Sequence, residues 1–299
     1  MSLAFREATH QRVTQTVGRL RYMSMFNFSD FDALSKATES ILYLPFEWCQ
    51  VKGGTVFLKD ASDYGGTKGG IYQVADFAIA KYPITNAQYE RFLEDSNGYS
   101  NPHWWEFSPQ ASQWQKDRPN PNPTAFKGSD LPRTRVSWFD SMAFCHWLSA
   151  ELANKTSDQH LKSPDPHNLA TWCVRLPTEQ EWQRAALGDT EWQYPWGDEL
   201  DETRGNYANH IGQPSNVETY PGGKSVYGVM DMIGNVWEWC LTEWGMERII
   251  DVSGYTYRVI RGVAWNVTKL DYMGANDRGE GWSPRGRLND CGFRCGYFC

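Results

Sequence analysis

No stretch of this 299-residue chain approaches the roughly 20 consecutive apolar residues that a membrane-spanning helix needs, so membrane insertion is not expected. No run of Lys or Arg offers a stripe for neutralising phosphates, and a formal charge of −7 opposes a polyanion, which excludes nucleic acid as a partner. The first ten residues, Met1–His10, lack the apolar segment and cleavage site of a secretory leader, and a cytoplasmic location is the resulting expectation. Histidine is sparse: His10, His103, His146, His160, His167 and His210 form no His-x3-His pair. The seven cysteines (Cys49, Cys145, Cys173, Cys240, Cys291, Cys295 and Cys299) are odd in number and show no framework spacing, which suits reduced thiols. Internal repeats and low-complexity segments are absent as well.

What the chain has in excess is aromatic. Fifteen Trp, fifteen Tyr and fourteen Phe, with 26 Gly and 15 Pro, favour a loop-rich fold pinned by large rings. Each such ring buries about 150–250 Å² and can anchor a long loop without a regular ladder. Residues from Phe5 to Leu42 carry helical spacing and predict one or two helices ahead of the main domain. Cys49–Leu58 alternates as a strand around Gly53 and Gly54. Ile71–Ala80 reads as its partner, with Ile71, Ala75, Phe77 and Ile79 on one face.

Three helix starts follow, each with a hydroxyl three residues before a side chain able to reach back: Thr85 with Gln88, Ser137 with Asp140, and Thr178 with Glu181. Trp138, Met142, Cys145 and Leu148 mark the buried face of the second of these helices. The stretches Gly98–Pro132 and Tyr194–Val226, rich in Pro, Gly, Asn and Trp, read as ordered loops.

Seven pieces then stand in a recognisable order: Tyr82–Leu93, Arg135–Leu148, Val174–Ala186, Tyr194–Asp198, Gly234–Trp239, Arg258–Trp265 and Gly292–Arg294. Together they resemble the formylglycine-generating enzyme (sulfatase-modifying factor) family over residues 46–299, leaving 1–45 as an N-terminal helical extension. The resemblance implies an α+β fold related to C-type lectins, with a small antiparallel sheet, few helices and long ordered loops.

The family's oxidase members hold copper with two cysteines placed after a turn matched here by Gly262–Trp265. Those positions fall near Val267 and Tyr272, and no cysteine occurs between Cys240 and Cys291, so a soft-metal thiolate site is not expected. A second enzymatic branch, resembling ergothioneine synthase, needs an iron-binding set of imidazoles that the six histidines do not supply. Neither copper nor iron is therefore expected. The family's calcium loop falls on Asp231, Gly234, Val236 and Glu238, and a structural Ca2+ is the one metal the resemblance suggests. The alternative there is a hydrogen-bonded loop in which Glu238 caps backbone amides. Cys291, Cys295 and Cys299 would share one side of an extended strand, as buried thiols or as a metal or redox row.

Asn266–Cys291 has neither helical nor strand period. Framework-like points (Trp265, Asn276, Arg278, Pro284, Arg287, Gly292) punctuate runs of polar and aromatic residues. The segment resembles the hypervariable ligand site of variable proteins from diversity-generating retroelements. Adenine-directed mutagenesis in those proteins turns Asn codons into Asp, Tyr, Ser, Gly, Val or Thr, and such residues are abundant here. The positions that this resemblance assigns to ligand binding are Asn266, Thr268, Lys269, Asp271, Tyr272, Asp277, Gly279, Glu280, Trp282, Ser283, Arg285, Asn289 and Asp290. Rigid aromatic anchors mixed with adaptable polar side chains are what a protein-binding surface needs. Two functions are thus in contention: a non-enzymatic binder of an unidentified ligand, expected to be a protein, and a metal-dependent oxidoreductase with a relocated site.

Overall fold

The computed structural model describes residues 31–43, 45–155, 164–246, 251–269 and 273–298. Its helices begin where the hydroxyl pairs stand. Thr85 opens α2 (Asn86–Glu94), accepting from the Gln88 amide while Gln88 Oε1 accepts from the Thr85 amide. Ser137 and Asp140 make the same reciprocal pair ahead of α4 (Trp138–Lys155). Thr178 and Glu181 make it ahead of α5 (Glu179–Leu187). Each pair satisfies two helix N–H groups that have no partner within the helix.

Of the predicted N-terminal helices, α1 (Phe31–Leu42) is present, and Leu34, Ile41 and Leu42 join the main core; residues 1–30 lie outside the described residues. The extension is therefore, from Phe31 on, part of the packed body. One helix falls where a loop was expected. Ser108 caps α3 (Pro109–Asp117), with Pro109 in the first turn and only Ala111 and Trp114 buried. So short an apolar face gives almost no periodic signal.

The strands also divide more finely than their alternation suggested. Residues Cys49–Leu58 split into β1 (Trp48–Val51) and β2 (Gly54–Leu58); Ile71–Ala80 split into β3 (Gly70–Val74) and β4 (Phe77–Ala80). β1 pairs with β4 and β2 with β3, in separate sheets. At the break, the Gly53 amide donates to Asp76 Oδ1, and a Cβ on Gly53 would lie 2.5 Å from the Val74 carbonyl oxygen. Only glycine allows that approach. Ile71, read on one face with Phe77 and Ile79, faces solvent beside Phe57, while those two are buried.

Among the described residues the strands form two small four-stranded sheets and the β2–β3 hairpin. The first sheet runs β1-β4-β10-β5, with β5 at Val174–Arg175 and β10 at Gly296–Tyr297. The second runs β8-β7-β6-β9, built from β6 (Trp237–Glu243), β7 (Arg258–Arg261), β8 (Gly281–Trp282) and β9 (Cys291–Gly292). All its pairings are antiparallel except β6–β9, which is parallel. Between the sheets and α4 lies an aromatic core in which Trp105, Trp138, Trp147 and Trp239 are fully buried. Their indole N–H groups are not stranded: Trp138 donates to the Cys240 carbonyl and Trp239 to the Val136 carbonyl, both at 3.0 Å.

Candidate functional site

The aperiodic segment is held from below by arginines. Arg278 reaches the fully buried Glu179 with Nε and Nη2, at 2.9 and 2.7 Å, and donates to the Thr67 carbonyl at 2.9 Å. Arg261 of β7 shares the same carboxylate at 2.8 Å. Burial alone would raise the Glu179 pKa, but the two guanidiniums hold it below the usual value. Arg287 grips Asp140 with two contacts of 2.8 Å, and burial's opposing effect is outweighed, so the guanidinium is held firmly charged. Glu179 and Asp140 both lie in the first turn of a helix, where the dipole also favours a carboxylate.

Two residues assigned to ligand binding prove to belong to this scaffold. A Cβ on Gly279 would lie 2.2 Å from the Ile260 carbonyl oxygen. Asp277 accepts from Lys59 Nζ at 2.6 Å and from the Gly274 amide at 2.9 Å. Both are fixed by what they touch, and the sequence gives no sign of partners as remote as Lys59 and Ile260.

The other described positions face outward. Asn266, Thr268, Lys269, Glu280, Trp282, Arg285 and Asn289 are exposed, with Ser283 and Asp290 half-buried. Asp271 and Tyr272 lie outside the described residues. At one end Asn266 donates to Asp290 at 3.0 Å, and Arg135 donates to Asn289 at 2.6 Å; Arg135 had not been singled out. At the other end the Arg285 guanidinium lies over the ring of Tyr255, from a loop that sequence reasoning also passed over, and Trp282 stands opposite Arg258 in the β7–β8 pair. In the motif pieces Gly234–Trp239 and Gly292–Arg294, Phe293 and Trp239 are fully buried, whereas Trp237 is only partly covered.

The expected calcium loop is committed elsewhere. Glu238 accepts from Arg294 Nε and Nη2 at 2.6 and 2.5 Å and from Trp182 Nε1 at 2.8 Å. Asp231 accepts from the Asn235 side chain at 2.9 Å; burial pushes its pKa up to about 7, against the pull of that hydrogen bond and of Arg294. Val236 is fully buried, and Gly234 packs against the Asn206 backbone. A dication at Asp231, Gly234, Val236 and Glu238 would have to sit against the Arg294 guanidinium. The donor set does not fit calcium.

Of the cysteine row, Cys299 lies outside the described residues; Cys291 lies in β9, while Cys295 turns toward Cys145 with its Sγ 3.6 Å away. Cys173 is disulfide-bonded, contrary to the expectation of reduced thiols throughout. Among the described residues no group of three His, Cys, Asp or Glu is placed to hold a metal ion, and no helix is long and apolar enough to cross a membrane. His146 is fully buried, stacked on Trp172 at 4.1 Å, and desolvation lowers its pKa to about 4.

Small sheets, capped helices and long pinned loops define an irregular α+β fold of the C-type-lectin-like kind. Two solved structures share it. Treponema denticola variable protein 1 superposes with a TM-score of 0.57 at 21% identity, covering 85% of this chain and 95% of that one. PvdO from Pseudomonas aeruginosa gives 0.56 at 19% identity, covering 84% and 94%. Residues 46–296 match the sulfatase-modifying factor enzyme 1-like domain, and the chain belongs to that family.

Its curated relatives include the hercynine oxygenase of Mycobacterium tuberculosis, 31% identical over 215 residues, which are 66% of this chain and 47% of that protein. The chain thus spans about half the length of that enzyme. The inactive C-alpha-formylglycine-generating enzyme 2 of Mus musculus is 27% identical over 266 residues, covering 74% of this chain and 75% of that one.

Proposed function

We propose that this chain is a non-enzymatic ligand-binding protein whose residues 266–290 form a substitution-tolerant surface, like a variable protein of a diversity-generating retroelement, with another protein as its ligand. One observation carries the reading. Scaffold duties in the segment fall on Arg278, Gly279, Asp277 and Arg287, while Asn266, Thr268, Lys269, Glu280, Trp282, Arg285 and Asn289 project between them. A surface built this way accepts new side chains without refolding. The likeness of fold to Treponema denticola variable protein 1 supports the reading. The test is genomic: a near-copy of the stretch encoding Tyr257–Cys295, differing at adenines, beside a reverse transcriptase gene. Absence of both rejects it.

The likeness to hercynine oxygenase favours a second reading, a metal-dependent oxidoreductase. Against it stand the missing copper-binding cysteines, whose positions fall near Val267 and Tyr272, and six histidines that form no His-x3-His pair for iron. Elemental analysis separates the two. Copper or iron near one equivalent in the purified protein establishes the oxidoreductase and removes the binder.

A further inference from the structure

The outward-facing residues of the C-terminal segment continue onto a loop that precedes β7. Tyr255, 43% exposed, and Trp282, 39% exposed, are large rings left open to solvent. The Arg285 guanidinium lies 4.6 Å from the centroid of the Tyr255 ring. That ring in turn packs edge-on against Phe139, 6.1 Å away.

The grouping is held in place by buried chemistry. Arg258, fully buried, lies over the Trp138 ring at 4.0 Å and donates to the carbonyls of Ser253 and Leu241, which fixes the Tyr255 loop to the sheet. β8 sets Trp282 directly opposite Arg258, and residues opposed in an antiparallel pair project from one face. The turn Ser283–Gly286 closes with the Gly286 amide on the Ser283 carbonyl at 2.8 Å. It is tied to the start of α4 by the Trp138 amide on the Pro284 carbonyl at 3.1 Å. Arg285 sits at the tip of that turn.

Charge then distinguishes Arg285 from its neighbours. Arg278 pairs with Glu179 and Arg287 with Asp140; among the described residues no carboxylate lies within ion-pair reach of Arg285, which has the Tyr255 ring instead. A guanidinium held over an aromatic ring by its charge does not spend its N–H fork on an ion pair, and that fork matches a carboxylate in two contacts. The exposed rings of Tyr255 and Trp282 supply rigid apolar area at low entropic cost.

Resting on the binding-protein reading above, we propose that Trp282, Arg285 and Tyr255 form a docking platform for an acidic peptide segment of a partner protein. The partner's carboxylate seats on Arg285, and an apolar side chain next to it packs on Trp282. A nucleic-acid phosphate would also suit a guanidinium, but the chain's formal charge of −7 disfavours a polyanion.

The experiment is to pan the immobilised full chain with a random-peptide display library. Recovered peptides are then titrated by fluorescence anisotropy against wild type, Arg285→Gln, Trp282→Ala, Tyr255→Ala, Asn266→Ala and the control Lys224→Ala, with a melting curve for each variant. The proposal expects peptides enriched in Asp or Glu beside an apolar residue. Their affinity falls about tenfold or more with Arg285→Gln, as for loss of a charge-assisted pair, and stays essentially unchanged with Lys224→Ala, an exposed residue outside the segment. Replacing the peptide's acid by its amide reproduces the loss.

Peptides without acidic preference that ignore Arg285 overturn the carboxylate assignment, though the surface still binds. Peptides sensitive only to Asn266→Ala place binding at the other end and overturn the platform while keeping the wider reading. Failure to enrich any peptide, or tighter Arg285-dependent binding of a single-stranded oligonucleotide probe, overturns the proposal as well. Arg285→Gln changes an exposed residue, so the test does not depend on whether the tryptophan variant folds.

Discussion

The core around α4 and the segment 266–290 are held together by opposite means. In the core, Tyr89, Phe92, Phe144 and Trp147 meet at ring distances between 5.3 and 5.8 Å, and α4 is buried on nearly every side. Stability there comes from filled volume, so almost every side chain matters. Among its described residues the segment contains one two-residue strand, β8, and it is secured by Arg278 and Arg287 on two buried carboxylates. Directional pins fix a few atoms and leave the intervening side chains unconstrained. Binding proteins that must change ligand specificity without losing their fold benefit from the second arrangement.

The sharpest test of that contrast is a pair of tryptophans. Trp138→Ala, in the core, should lower stability by about 3–5 kcal/mol, whereas Trp282→Ala should change it by no more than about 0.5 kcal/mol. Chemical denaturation measures both, and equal losses would erase the distinction. Arg287→Ala leaves Asp140 buried without its cation and should cost about 3 kcal/mol; a loss below 1 kcal/mol, roughly the range of an exposed pair, would show that the pins do not hold the segment.

Acid should find the core first. Unfolded His146 takes up a proton below its ordinary pKa of 6.5, while the folded residue resists until about pH 4. The unfolded state therefore binds more protons in that window, and stability present above pH 6.5 is lost as the pH falls toward 4, by about 3 kcal/mol. His146→Phe, which keeps the stacking on Trp172, should flatten this part of the stability-versus-pH curve; an unchanged slope would assign acid sensitivity elsewhere. The smallest effect is expected from calcium. With Arg294 already neutralising Glu238, excess calcium and a chelator should give the same melting temperature, and a saturable rise with calcium would return the loop to metal binding.

Much of the core was legible in the sequence. Hydroxyl pairs at Thr85, Ser137 and Thr178 announce helices because the capping interaction spans only three residues. Trp138, Met142, Cys145 and Leu148 announce the buried face because helical spacing is local too. The segment was legible only as a departure from period. Asp277 and Gly279 looked as free as Thr268, since their constraints come from Lys59 and Ile260, far away in the chain. Tyr255 was missed for the same reason: its partner Arg285 lies beyond two intervening strands, β7 and β8. The fate of Glu238 turned on Arg294, 56 residues on, a pairing no spacing rule supplies.

The position of β10 has a consequence for how the molecule comes to be. It lies between β4 and β5, and Arg294 just ahead of it bonds the carbonyl of Ala80 across 214 residues of chain. A ribosome releasing this chain delivers β1 and β4 early, with one edge of β4 unpaired until the last strand of that sheet emerges. Long-range closure of this kind is slow, and an open strand edge invites pairing with other chains. A translation product cut off before Gly296 should therefore be prone to aggregate even though the α4 core is complete in sequence.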